Sequence, residues 1–349
     1  MRIARFSSLL LAILLALGVS SSGGMGPALA VPGPAAPADA LVQQHTVRVG
    51  ILPAIGLAPV FLGLERGYYQ AEGIDFQWEP VQVTSEAIAQ VGAGNLDAAV
   101  VTVGAAVLNS IARGVDIKII AGLYGGPPSG DGSDRFLVRK DLYDSGVTDA
   151  SGLRGRRVAG NSLGVYTEYA IDRAMRTGGL TIADIEFVAI PFPDIPAAFA
   201  NNAIDAAFVI EPMATRAIAQ GTAVPILVGF TAGAQTTVLM AGPSLLNDPS
   251  LAEAFMRAYL RSLRDINAEG MTPQTAAIVE RHTRVPADVV QQASPPYWDP
   301  DGRVNWDSLM DQQRFYLSRG SATYGQPMDL RQRLGEDGPR LAALATLNR

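Results

Sequence analysis

Short apolar runs rich in β-branched residues alternate along the first 240 positions with stretches whose apolar residues recur at helical spacing. Val47–Leu52 predicts a buried strand, Pro53–Gly56 a turn, and Ala58–Arg66 a helix with Val60, Phe61 and Leu64 on one side, closed by Gly67. Ile74–Trp78 predicts a strand, Thr84 to about Ala93 a helix, and Leu96–Val103 a very apolar strand. Ala105–Arg113 predicts a helix stopped by Gly114, with strands at Ile117–Leu123 and Phe136–Arg139 after it. The cycle then restarts. Strands are predicted at Arg157–Ala159, Glu186–Ile190, Ala206–Ile210, Val224–Val228 and Thr237–Met240. Helices at Tyr166–Arg176, Ile195–Ala200 and Met213–Gln220 lie between them.

Such alternation predicts parallel sheets covered by helices on both faces, and the restart near Arg154 predicts two sheets rather than one. After Pro249 the pattern turns wholly helical: Ala252–Asn267, Pro273–Arg281, Pro286–Ala293, Trp306–Ser318 and Gly338–Leu347. Pro273 and Pro286 fit first-turn positions, where the missing N–H costs nothing. A helical tail of this kind is expected to wrap the first lobe.

Ligands of parallel α/β sheets bind beyond the carboxyl ends of the strands, where free N–H groups open the following helices. Four loops meet that description: Pro53–Leu57, Thr102–Ala105, Gly160–Gly164 and Glu211-Pro212. Three carry glycine, which lets a ligand approach the backbone. The candidate ligand-binding residues are therefore Ile55, Gly56, Leu57, Thr102, Gly104, Ala105, Asn161, Ser162, Leu163, Gly164, Val165 and Glu211, with Tyr124 and Tyr166 as candidate aromatic walls. Phe192, between two prolines, fits packing better. Glu211 suits two roles equally, meeting a ligand amine or capping the helix that begins at Pro212.

Composition narrows the function. Hydrophobic residues at 48% against 17% charged supply ample core, and a net charge of −6 without any basic run argues against a nucleic-acid surface. Arg2 and Arg5, the apolar Leu9–Val19 and the small-x-small end at Ala30 read as a signal peptide over 1–30, with a Pro- and Ala-rich lead-in over 31–46. The chain has no cysteine, so thiol catalysis, thiolate metal sites and a lipid anchor on cysteine are excluded, and two distant histidines make no metal cluster. No metal, cofactor or catalytic residue is expected. One motif points elsewhere: Gly160-Asn161-Ser162-Leu163-Gly164 fits G-x-S-x-G, the nucleophile elbow of a secreted serine hydrolase using Ser162, whose base could only be His282.

Four segments together resemble one family. Val49–Gly73, Gly92–Ala99, Leu153–Ala159 and Ile210–Thr215 are similar to signatures of ABC-transporter substrate-binding proteins of the nitrate/sulfonate/taurine type, whose superfamily includes the thiamine-pyrimidine binders, and Pro295–Gly302 resembles a recurrent element of the group. The resemblance implies an α/β type II periplasmic-binding-protein fold, with two α/β lobes, a two-segment hinge and a helical C-terminal extension. The implied lobe 1 is 47–139 with 236–349 and lobe 2 is 140–235. The implied crossings lie near Arg139-Lys140-Asp141 and Phe230–Gln235. It also implies capture of a small molecule by hinge closure and delivery to an ABC permease; the leader places the chain outside the cytoplasm, and without an apolar stripe or heptad a monomer is expected. No Arg or Lys falls in the four loops, which turns the expected ligand from a small inorganic anion towards a sulfonate, carboxylate or pyrimidine-like compound.

Overall fold

The computed structural model describes residues 44–81, 84–130 and 132–348. The signal-peptide reading and the lead-in as far as residue 43 lie outside them. The lead-in expected to reach residue 46 ends earlier, because β1 (His45–Ile51) already pairs from His45, with Ile74 as its partner.

The first sheet contains β1, β2 (Ile74–Pro80), β3 (Ala98–Thr102), β4 (Lys118–Gly125) and β10 (Gln235–Ala241), in the order β2-β1-β3-β10-β4. The second contains β5 (Arg135–Arg139), β6 (Arg157–Gly160), β7 (Glu186–Ala189), β8 (Ala206–Val209) and β9 (Ala223–Leu227), in the order β7-β6-β8-β5-β9. Each sheet is parallel except for one strand: β10 runs antiparallel to β3 and β4, and β5 antiparallel to β8 and β9. Both exceptions are strands that have just arrived from the other sheet. A chain leaving one sheet at its carboxyl edge enters the next sheet at the edge facing it, so it must run against the strands already there.

This corrects the expected boundary. Phe136 pairs with Phe208 and with Leu227, so β5 belongs to lobe 2 and the first crossing is 126–134, ahead of Arg139-Lys140-Asp141. The second crossing is 228–234. The two crossings lie backbone to backbone: Gly126 N donates to Ala234 O at 2.9 Å and Gly233 N to Pro127 O at 2.7 Å. A Cβ at Gly126 would sit 2.0 Å from the Thr231 carbonyl oxygen, so only glycine fits there.

One face of the first sheet buries Val47, Val49 and Ile51 against Phe61, Phe255, Tyr259 and Leu260. The other face carries Val101, Leu108 and Ile119, and this apolar cluster runs on into lobe 2 at Phe136, Tyr169 and Phe208 by way of Phe315 and Tyr316. The helix Trp306–Ser318 thus touches both lobes, where a wrap around the first alone was expected. It also fixes the second crossing. Gln312 Nε2 donates to Gln235 O at 2.7 Å, Gln235 N donates to Ser308 Oγ at 2.9 Å, and Asn305 N donates to Gln235 Oε1 at 3.0 Å. The long helix Pro249–Glu269 is capped by Asp248, which accepts from Ser250 N and Leu251 N. Pro286 stands just before the helix Ala287–Gln292 rather than in its first turn.

Candidate functional site

The loop after β3 and the loop after β6 face each other across the lobes. Gly104 precedes the helix Ala105–Ala112 in extended conformation, which aims the free Ala105 N–H outward, and that group donates to the Gly164 carbonyl oxygen at 2.9 Å. A Cβ at Gly104 would lie 2.9 Å from the same oxygen. Gly164 N in turn donates to Glu168 Oε2 at 2.8 Å, and Glu168 Oε1 accepts from Arg319 Nε at 3.0 Å. Glu168 is almost wholly buried, so this pair is the neutralisation its carboxylate requires. One backbone hydrogen bond and one ion pair that share the turn at Gly164 thus link the lobes, beside the Tyr169 hydroxyl's hydrogen bond to Asp311 Oδ2 at 2.8 Å and the shared apolar cluster.

The loop after β1 forms a short turn, Ile55–Leu57, with all three residues buried. Trp298 Nε1 donates to Gly56 O at 2.9 Å from beneath it. The Tyr124 ring lies against Gly56, where a Cβ would come within 2.7 Å of it. This explains the glycine: it makes room for an aromatic wall at the end of β4. Tyr166 opens the helix that follows β6. It is buried against Tyr169 and Phe208, and its hydroxyl has no hydrogen-bond partner. Burial drives the Tyr166 hydroxyl well above its ordinary titration range, Asp134 adding to the rise and Thr236 opposing it.

Polar groups of the two crossings lie within electrostatic reach of both tyrosines. Asp134 ends the first crossing, and the Thr231 hydroxyl of the second crossing is its side-chain partner. Burial pushes it up to about 6, with the Thr231 hydroxyl and Arg135 pulling the other way. Thr231 is itself buried. Tyr124 also feels Asp134 and contacts Thr237, whose hydroxyl lies 3.4 Å from that of Thr102. Arg135 is committed elsewhere, to the Gly132 carbonyl and to Ser294 Oγ. Arg173 is likewise spent on the carbonyls of Phe230 and Ala232.

Of the sequence candidates, the fold brings Gly56 with Tyr124, Thr102 with Thr237, and Gly104 and Ala105 with Gly164. Ile55 and Leu57 are buried beneath the first loop and Val165 leads into the helix Tyr166–Thr177, while Asn161, Ser162 and Leu163 are exposed beside it. Glu211 Oε2 accepts from Thr215 N at 3.2 Å and Thr215 Oγ1 at 2.8 Å, so the cap role is the one it fills. Phe192 lies 6.1 Å from Phe208, as packing requires. Asp134 and Thr231 were absent from the sequence reading, because they lie on the crossings and not at strand ends.

The hydrolase motif finds no partner. Ser162 Oγ donates to the Leu163 carbonyl oxygen at 3.2 Å, whereas His282 stacks on Phe61 at 4.5 Å and contacts Glu65 at 2.9 Å, all within lobe 1. Among the described residues no group of His, Asp and Glu is arranged to hold a metal ion.

The NMT1/THI5-like family model matches residues 55–272, more than half of the chain. The riboflavin-binding protein RibY of Chloroflexus aurantiacus is 29% identical over 266 residues, covering 73% of this chain and 72% of that protein. Among solved structures, the periplasmic aliphatic sulphonate binding protein SsuA from Escherichia coli superposes with a TM-score of 0.68 at 17% identity, over 83% of this chain and 92% of that one. The periplasmic nitrate-binding protein NrtA from Synechocystis PCC 6803 gives 0.67 at 17% identity, over 87% and 89%. The two α/β sheets joined by two crossings are thus those of the periplasmic-binding-protein fold, and the chain belongs to the NMT1/THI5-like family.

Proposed function

We propose that this chain is an extracytoplasmic solute-binding protein that closes its two lobes over a small organic ligand and delivers it to an ABC importer. The observation that carries the reading is the direct meeting of the lobes at Ala105 and Gly164, with the Tyr166 hydroxyl of the adjoining helix buried and unpaired. Buried polar groups without partners are costly, and a bound solute would supply what the protein withholds. Hinge closure about two crossings is the motion such an arrangement permits. The leader read over 1–30 supports export.

The ligand class we favour is a flat, pyrimidine-like ring system, with flavins foremost. The aromatic walls Tyr124 and Tyr166 suit a ring, both arginines near the hinge are spent on the protein's own groups, and RibY is named for riboflavin. Titration of the purified chain with riboflavin, followed by quenching of flavin fluorescence and by thermal unfolding, tests the reading. Saturable binding with a rise in Tm supports it. A wild-type chain that binds neither flavins, pyrimidines, sulfonates nor carboxylates overturns it.

A further inference from the structure

The stretch 294–305 lies outside the helices and strands, yet it touches both crossings and the cleft. It brackets the first crossing. Tyr297 and Gly125 exchange two backbone hydrogen bonds of 3.1 Å where β4 ends, and Ser294 Oγ accepts from Arg135 Nη2 at 3.0 Å where β5 begins. Further along, Gly302 O accepts from Gly122 N at 2.9 Å. A Cβ at Gly122 would lie 2.3 Å from the Arg303 carbonyl oxygen, so the stretch is pressed onto β4 where only glycine fits. Asn305 closes the far end on the second crossing, its Nδ2 donating to Gly233 O at 2.7 Å. The middle of this strap reaches the cleft. Trp298 is buried, and its Nε1 donates at 2.9 Å to the carbonyl oxygen of Gly56, the glycine that the Tyr124 ring abuts. Strap and crossings together enclose a cavity of about 160 Å³, lined in part by Tyr124, Gly126, Gly233 and Tyr297. Close-packed interiors resist displacement, so a void beside the crossing glycines gives their backbone room to turn.

We propose that Trp298 is a positioning residue of the cleft: its indole N–H seats the loop after β1, and the strap that carries it couples that seat to both crossings. Turning the hinge then shifts the cleft loop, and fixing the loop steadies the hinge, since coupling between two sites is reciprocal. The role in binding rests on the solute-binding reading above, whereas the coupling is a property of the ligand-free chain.

Amide exchange of the ligand-free chain tests the coupling from both ends. Leu57 N donates to Ala54 O at 3.0 Å within the loop, and Gly233 N donates to Pro127 O at 2.7 Å between the crossings, so each amide reports on its own end. Trp298→Phe removes the indole donor and should speed exchange at both reporters by about tenfold, the effect of one lost hydrogen bond. Asn305→Asp keeps the acceptor used by Ser308 N and removes the donor to Gly233 O. It should speed exchange at Leu57 as well as at Gly233. Phe255→Leu, in the lobe 1 core against Tyr69 and Phe76, controls for lost stability: it should lower Tm and leave both reporters unchanged. Titration with riboflavin well below Tm adds the binding readout. Kd should rise on the order of tenfold in Trp298→Phe, as when the binding-competent state is depopulated, and hold its wild-type value in Phe255→Leu. Exchange at Leu57 no faster in Trp298→Phe than in Phe255→Leu overturns the proposal, as does a Leu57 amide that does not respond to Asn305→Asp. Wild-type affinity for riboflavin in Trp298→Phe overturns it as well. A wild type that binds no riboflavin removes the flavin class alone, and the exchange comparison then upholds or overturns the role of Trp298.

Discussion

The Ala105 N–H points across the molecule at the Gly164 carbonyl oxygen, 2.9 Å away, and this bond joins the opening turn of a lobe 1 helix to the glycine turn of lobe 2. Gly104 stands directly behind it with φ of −162°, a conformation that any residue adopts, so its glycine answers to space and not to backbone strain. Gly104→Ala should therefore fold normally, because the added methyl collides only when the lobes meet. Holding the lobes apart lowers the population of the binding-competent state, and the apparent Kd for riboflavin should rise on the order of tenfold. Fluorescence titration checks the affinity and urea unfolding checks that stability is unchanged.

The Glu168–Arg319 pair is uneven: the Glu168 side chain is 2% exposed and that of Arg319 36%. Removing the arginine strands a buried carboxylate that keeps only the Gly164 N–H. Arg319→Met should destabilise the protein by about 1–3 kcal/mol, the lower part of the range for broken buried pairs because the guanidinium is partly in water. The double variant Arg319→Met with Glu168→Gln should regain part of that loss. Urea denaturation of the three variants measures both.

Asp134 gives a pH signature with an unusual sign. Its carboxyl titrates at about 6 in the folded chain against an ordinary 3.8, so between those values the native state holds a proton that the unfolded state has released. The folded form is consequently favoured at low pH, and that advantage is lost as pH rises from about 4 to above 6. Asp134→Asn removes this dependence. It should be more stable than the wild type at pH 7.5 by about 1–3 kcal/mol and equal to it near pH 3.5. Comparing the two proteins across that range isolates this carboxyl from Asp184 and Asp205, whose hydrogen bonds and ion pairs hold them below the usual range and which lose stability in acid instead.

Gln235 is the anchor of the second crossing. Its Nε2 donates to Thr237 O at 2.9 Å, and its Oε1 accepts from Asn305 N. Gln235→Leu keeps the volume and leaves both partners unsatisfied in a buried setting, for an expected cost of about 2–4 kcal/mol. Thermal unfolding measures the cost, and small-angle scattering of the ligand-free variant should show a larger radius of gyration as the crossing loosens.

Most of this architecture was legible in local pattern. The alternation of strand and helix located the ten strands of the described residues, and the restart near Arg154 anticipated a second sheet, because most of these strands are apolar runs whatever their partner. Partnership was not legible. Phe136–Arg139 looks the same whether it pairs with β4 or with β8, and only the long-range register of Phe136 with Phe208 assigns it to lobe 2. The cleft divided in the same way. Gly56, Gly104 and Gly164 carry a local mark, since small residues at strand ends answer to close approach. Asp134 carries none: its neighbours in sequence are those of an ordinary polar loop, and its partners Thr231 and Tyr166 are brought from far along the chain. Glu211 stayed open between two roles in the sequence, because its contacts to Thr215 N and Oγ1 appear only once the helix is formed.

The antiparallel strand in each sheet also sets an order of assembly. Every strand of the second sheet comes from the continuous stretch between Arg135 and Leu227, so that half can close on itself as soon as the stretch is made. The first sheet cannot. The place between β3 and β4 stays empty until β10 arrives from beyond the whole of the other lobe, and its apolar face stays bare until the helix Pro249–Glu269 follows. Sheet pairings of such long sequence separation form slowly. A chain delivered from its amino end would thus finish its later lobe first and then complete the earlier one around it, with β1 to β4 the segment in greatest need of protection while it waits.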